Sequence, residues 1–183
     1  MAEAEAPKRQ AGKPRNRPPG RGDARPRTAA RLAAVQALFQ SEQSGEAPEA
    51  VLDQFVRHRL GAGGPGQSMG GFQDGRAPDA DVPLFARIVR ASVAQQEGID
   101  TMLSEALPED WKLARLDPVL RALLRAGAAE LQMSDGPPAR VVINEYLDVG
   151  HEFFTQEAAR LANGVLDRLA RLLRPGDFPA APA

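Results

Sequence analysis

The sequence predicts an all-α protein, and three observations carry that reading. Apolar residues make up 43% of the chain while aromatics make up only 5%. Ala, Leu and Val dominate the apolar set, a balance that suits helix packing better than sheet packing. Apolar residues recur at three- and four-residue spacing through most of the chain, and no alternating pattern is long enough to compete. At 183 residues, one compact helical domain with tails is expected.

Residues 1–26 carry Pro7, Pro14, Pro18, Pro19 and Pro26 among Gly and Arg, so no helix or strand should run far through them. They are expected to form a disordered basic arm. A first helix should start near Thr28 as N-cap, with Leu32, Val35, Leu38 and Phe39 on one face. A second follows Pro48, with Val51, Leu52, Phe55 and Val56 as its buried stripe. Residues 61–82 hold seven glycines and little to bury, and are expected to be a flexible loop. Asp81 and Pro83 open a third helix through Leu84, Phe85, Ile88, Val89 and Val93. Gly98 should break it before a short fourth helix carrying Ile99, Met102, Leu103 and Leu107. Trp111 reads as a core plug.

Asp117 before Pro118 is a strong helix start, followed by Leu120, Leu123, Leu124, Ala128 and Leu131. Gly127 should permit close helix packing. After Gly136, Pro137 and Pro138, a sixth helix carries Val142, Ile143, Tyr146, Leu147 and Phe154. The last runs from about Glu157 to Leu173 and ends at Pro175 and Gly176. About seven helices are therefore expected, in a domain over 27–174 with a C-terminal tail at 175–183.

The formal net charge of -1 conceals a segregation. Met1 to Arg27 holds eight basic and three acidic residues, about +5, which leaves about -6 on the remainder. Screening confines each field to about 8 Å, so attraction for polyanions concentrates at one end. RNA is the natural candidate, and a solubilising tail is the plainer alternative.

Catalytic chemistry finds no foothold. The chain lacks cysteine, which removes disulfides, thiolate metal sites and cysteine nucleophiles. His58 and His151 lie on different helices without metal-ligand spacing and read as surface or packing residues. No Gly-rich loop has phosphate-loop form, and no serine sits in a nucleophile elbow. A protein that is not an enzyme and needs no cofactor or metal is expected. With neither a signal-peptide pattern nor a membrane-spanning stretch in the sequence, a cytoplasmic setting without membrane association is expected.

What stands out is Arg25, Arg27 and Arg31 where the arm meets the first helix. Guanidinium groups grip phosphates bidentately and stack on unpaired bases, which suits single-stranded RNA. Phe39 offers a stacking face, although its place in the apolar stripe favours core packing.

Several blocks together resemble the bacterial NusB family of transcription antitermination factors. They are RLAAVQALFQ (31–40), VLRALLRAGAAEL (119–131), VVINEYLDVGHEF (141–153) and LANGVLDRL (161–169), in the family's order. The resemblance implies two packed three-helix bundles, no catalysis, and binding to boxA RNA jointly with NusE, the ribosomal small-subunit protein. It further implies indirect association with other Nus factors and RNA polymerase, and suppression of Rho-dependent termination, notably on ribosomal RNA operons. A second copy of the chain is a further partner to consider in the absence of NusE.

Carried over by position, Arg27 and Arg31 match the family's arginine-rich start, Gln36 its glutamine, Phe39 its usual tyrosine, and Arg160 a basic residue before Asn-Gly. Thr28, Ala29 and Ala30 dilute the arginine run, Phe39 lacks the phenolic hydroxyl, and Leu120 stands where a glutamate is common. Asn144, Glu145, Asn163, Asp167, Arg125 and Glu130 read as architectural residues. Two rival functions remain: an RNA-targeting module related to the N-terminal domain of ribosomal RNA cytosine methyltransferases, and a helical protein-binding scaffold.

Overall fold

A computed structural model describes residues 21–60, 77, 79–151 and 153–179, with side chains from residue 26 onward. The expected disordered arm falls largely outside the described residues. So do residues 61–76 and 78 of the expected flexible loop, and the last four residues of the tail.

Among the described residues there are seven α-helices and no strand: α1 (Arg21–Ser44), α2 (Pro48–His58), α3 (Val82–Ala94), α4 (Gln96–Ala106), α5 (Pro118–Leu131), α6 (Ala139–Gly150) and α7 (Gln156–Leu173). Short 3-10 turns lie at Leu113–Arg115 and Pro175–Asp177. α1, α2 and α3 pack on one another, as do α5, α6 and α7. The two triplets meet where α1 and α3 lie against α5, and α4 rests on α5 and α7. Fully buried Ala30, Ala33, Ala34 and Ala37 on α1 and Ala122, Ala126, Ala128 and Ala129 on α5 keep these central helices thin.

Local chemistry sets the boundaries. Asp81 caps α3 by accepting from the Leu84 N–H at 3.0 Å, and Asp117 caps α5 by accepting from Val119 and Leu120. Gly45, at φ 71°, closes α1 in the left-handed conformation. Gly127 is required by contact: a Cβ there would lie 2.8 Å from Leu166 Cδ2, so α5 and α7 approach only without one.

Four expectations need correction. α1 begins at Arg21, well before Thr28, and Pro26 lies inside it. Thr28 is therefore no N-cap: its hydroxyl donates to Glu145 Oε2 at 2.7 Å. Gly98 sits within α4, and the break falls at Gln95, where backbone φ reaches -117°. Trp111 is 37% exposed, because Leu107 and Leu116 fill the core on either side of its connector. Phe154 lies beyond α6 and folds its ring back over Gly150, the last residue of that helix.

A half-exposed ion network ties the C-terminal part of α1 to the rest. Arg121 donates to Glu42 and to the carbonyls of Leu113, Ala114 and Leu116. Arg125 donates to Asp100 at 2.8 Å and to Glu42 at 2.6 Å. Arg125 therefore links α4, α5 and α1, the architectural role its sequence position implied.

Candidate RNA-binding interface

A cleft of about 320 Å³ opens beside the N-terminal part of α1, lined by Arg27, Arg31, Asp81, Arg87, Asp135 and Gly136 among others. Pro26, next to the lining residue Arg27, helps hold the α1 side in place. Its carbonyl accepts from the Asp81 N–H at 2.9 Å, which ties α1 to the cap of α3. Arg27 then projects outward with its side chain 62% exposed and Nε 3.9 Å from Asp81 Oδ2. Across the cleft, Arg87 donates to Asp135 at 2.5 Å with both side chains half-exposed or more. The hydrogen bond from Arg87, then its charge, holds the Asp135 carboxyl below its ordinary range.

The wall formed by the turn after α5 is fixed from behind. Arg174 donates to the carbonyls of Leu131 at 2.7 Å, Pro137 at 2.6 Å and Glu130 at 3.1 Å, and to that of Met133. One side chain thus satisfies carbonyls both at the end of α5 and in the turn that follows it. Gly136 makes room for it, since a Cβ there would sit 2.9 Å from Arg174 Nη2.

Arg31 does not reach the surface. Only 2% of it is exposed, and its guanidinium is committed inside the protein. Nε and Nη2 donate to the two oxygens of Glu130 at 3.0 and 2.6 Å, and Nη1 donates to Glu145 Oε2 at 2.9 Å. The expected phosphate grip by Arg31 is thus replaced by an internal clamp of α1 on α5 and α6. Burial opposes the charge of Arg31, but the bond and charge of Glu130 outweigh it, and its pKa is raised. Tyr146, wholly buried beside this pair, has its hydroxyl pushed well above its ordinary value by burial and then by the charge of Glu130.

The other sequence candidates are dispersed. Arg25 belongs to α1, but its side chain lies outside the described residues. Gln36 and Phe39 share a half-buried stripe of α1 with Thr28 and Leu32. Phe39 packs against the core, and Gln36 Oε1 is sealed from solvent without a hydrogen-bond partner. Arg160 is exposed near the start of α7. Asp167 pairs with Arg171 one turn later, and Asn144 and Asn163 are exposed.

Arg87, Asp81 and Asp135 were missed as site residues. Arg87 and Asp135 look in sequence like ordinary solvated charges, and only the fold brings them opposite Arg27. Among the described residues, no group of three potential metal ligands clusters, and no helix is long and apolar enough to cross a membrane.

Comparison with known proteins matches residues 28–171 to the NusB family. The transcription antitermination protein NusB of Granulibacter bethesdensis is 67% identical over 154 residues, covering 84% of this chain and 93% of that protein. Its counterpart in Gluconobacter oxydans is 51% identical over 153 residues, covering 84% and 91%. Among solved structures, T. maritima NusB superposes with a TM-score of 0.65 at 28% identity, covering 84% of this chain and 96% of the other. A structure of the antitermination factors NusB and NusE in complex with dsRNA shares the fold, with a TM-score of 0.58 at 23% identity over 79% of this chain and 96% of the matched one. Similarity across nearly the whole helical body, in sequence and in fold, makes this chain a member of the NusB family.

Proposed function

We propose that this protein is a non-enzymatic transcription antitermination factor that binds single-stranded boxA RNA together with NusE. On this reading the pair joins other Nus factors and RNA polymerase and suppresses Rho-dependent termination, notably on ribosomal RNA operons. The observation that carries the reading is the exposed Arg27 at the mouth of a cleft, directly continuous in sequence with the basic segment 1–27. Arg87 faces it from α3. Family membership and relatives that are transcription antitermination proteins support the same assignment.

Arg25 and Arg27 supply guanidinium groups for phosphate and base contacts, and Arg160 supplies a further cation on α7. Arg87 joins them, released from Asp135 when a phosphate competes for it. Gln36 and Phe39 offer RNA or the partner protein only the part of their half-buried stripe that remains exposed, with Gln36 Oε1 sealed and Phe39 packed against the core. Arg31 acts from within.

Equilibrium binding of labelled boxA RNA and a scrambled control, with and without purified NusE across a salt series, tests this. Preference for boxA that NusE strengthens is the expected result. Equal weak binding to both RNAs, indifferent to NusE, would overturn it in favour of a helical scaffold.

A further inference from the structure

The turn of α1 that carries Arg27 is held from two sides. On one side the Asp81 N–H donates to the Pro26 carbonyl at 2.9 Å. On the other, a single atom of α6, Glu145 Oε2, accepts both the Thr28 hydroxyl at 2.7 Å and Arg31 Nη1 at 2.9 Å. Thr28 adjoins Arg27, and Arg31 lies one turn further along the same helix. Glu145 therefore grips consecutive turns of α1 just behind the exposed arginine.

The grip is rigid because its far end is buried. Arg31 cannot follow a shift of α1 without breaking a bidentate pair with Glu130, which is wholly buried. Glu145 is the most exposed of the three charged partners, with its side chain 20% exposed, and the one that adds Thr28. Two carboxylates share one guanidinium here, so electrostatic neutrality alone does not require Glu145. Its distinctive contribution is the second hold on α1.

We infer that Glu145 is a positioning residue for RNA binding: through Thr28 and Arg31 it fixes the turn of α1 that presents Arg27 to the RNA. Resting on the RNA-binding reading above, this adds a residue that acts on the RNA without touching it. Fixing the backbone of a binding group before the ligand arrives removes an ordering penalty from association. An arginine on a loosened turn keeps its charge but loses its aim.

The test is a double-mutant cycle on boxA RNA binding by the full chain with NusE present. Thr28→Val removes only the hydroxyl and leaves Arg31 paired, so it keeps the experiment sound should Glu145→Gln fold poorly. Each variant is expected to weaken binding by roughly 3- to 10-fold, the range of about 1 kcal/mol couplings. Each should also lower the salt slope toward that of Arg27→Ala, by about 0.7 for one lost phosphate contact. In an Arg27→Ala background the same changes should have almost no further effect. A general weakening of the fold would instead reduce binding by the same factor in both backgrounds, and that result, or no change at all, would overturn the positioning role. If Arg27→Ala binds boxA as the unaltered chain does, the interface assignment itself falls, and the positioning role with it.

Discussion

The middle and the end of α1 are fastened by the same chemistry in different surroundings. Near its middle, Arg31 is enclosed with Glu130 and Glu145, and the arginine and Glu130 are almost wholly out of water. Near its end, Glu42 meets Arg121 and Arg125 with side chains between 12% and 26% exposed. In the first site Arg31 and Glu130 are indispensable to each other, because a lone charge in that position has no solvent to fall back on. In the second, water and neighbouring carbonyls share the work. The buried clamp specifies how α1 docks, whereas the half-exposed network reinforces a docking already decided by packing.

The largest expected effect comes from breaking the buried clamp. Glu130→Ala should lower unfolding free energy by about 3–5 kcal/mol, because Arg31 keeps its charge without its bidentate partner. Urea denaturation should show this as a lower midpoint with an unchanged slope, little affected by added salt.

Alkali sharpens the contrast next. Tyr146 has its folded-state pKa well above the ordinary value of 10.0. The folded protein therefore holds a proton that the unfolded chain gives up, so stability is fully present below about pH 10 and falls as pH rises further. The loss should approach about 1.4 kcal/mol per pH unit until Tyr146 itself ionises. Tyr146 is the sole tyrosine, so tyrosinate absorbance should appear together with unfolding, and Tyr146→Phe should remove this alkaline component.

At the half-exposed network the sign reverses. The hydrogen bond from Arg121, and then the charges of Arg121 and Arg125, against the opposing effect of burial, lower the Glu42 pKa from its ordinary 4.5. Its contribution is present above that value and is lost as pH falls through the lower folded-state value. Glu42→Gln should reduce stability at neutral pH by about 1 kcal/mol or less after solvent screening, with the deficit shrinking in acid and in high salt. A deficit as large as that of Glu130→Ala would erase the distinction between the sites.

The smallest expected effect concerns α6, the helix that brings Glu145 to the clamp. Asp177 Oδ2 accepts from the Ala139 N–H at 2.8 Å, capping α6 from a distant part of the chain. Asp177→Ala should lower stability by roughly 0.5–1 kcal/mol. Hydrogen exchange should accelerate most in the first turn of α6.

Much of the fold was legible because its signals are local. Asp81 and Asp117 before prolines mark helix starts through bonds that span two or three residues. The start of α1 was not legible in the same way. Pro26 argues locally against helix, and the Asp81 N–H that meets its carbonyl comes from the far side of the glycine-rich segment. Trp111 misled for a related reason: its size favours burial, but neighbouring leucines had already filled the space.

The candidate interface was legible only in outline. Arg27 emerged where the basic segment suggested, but Arg31 turned inward. A sign of this stood in the sequence, since Arg31 shares a face of α1 with Val35 and Leu38, and Glu130 interrupts an apolar run on α5. A charge within an apolar face requires a partner of opposite sign, although sequence spacing cannot say which one. Arg87 and Asp135 carried no such mark, because solvated charges are common on helix faces and turns.

The capping of α6 by Asp177 also bears on how the protein matures on the ribosome. Synthesis runs from the N-terminus, so α1 and α5 emerge while the residue that completes α6 is still being added or lies within the exit tunnel. α6 supplies both Glu145 and Tyr146, and Arg174, which secures the turn after α5, is also made after all seven helices. Full latching of the charged interior therefore waits for the segment around Arg174 and Asp177, and a stop codon placed before residue 174 would leave a body with most of its helices but an unlatched centre.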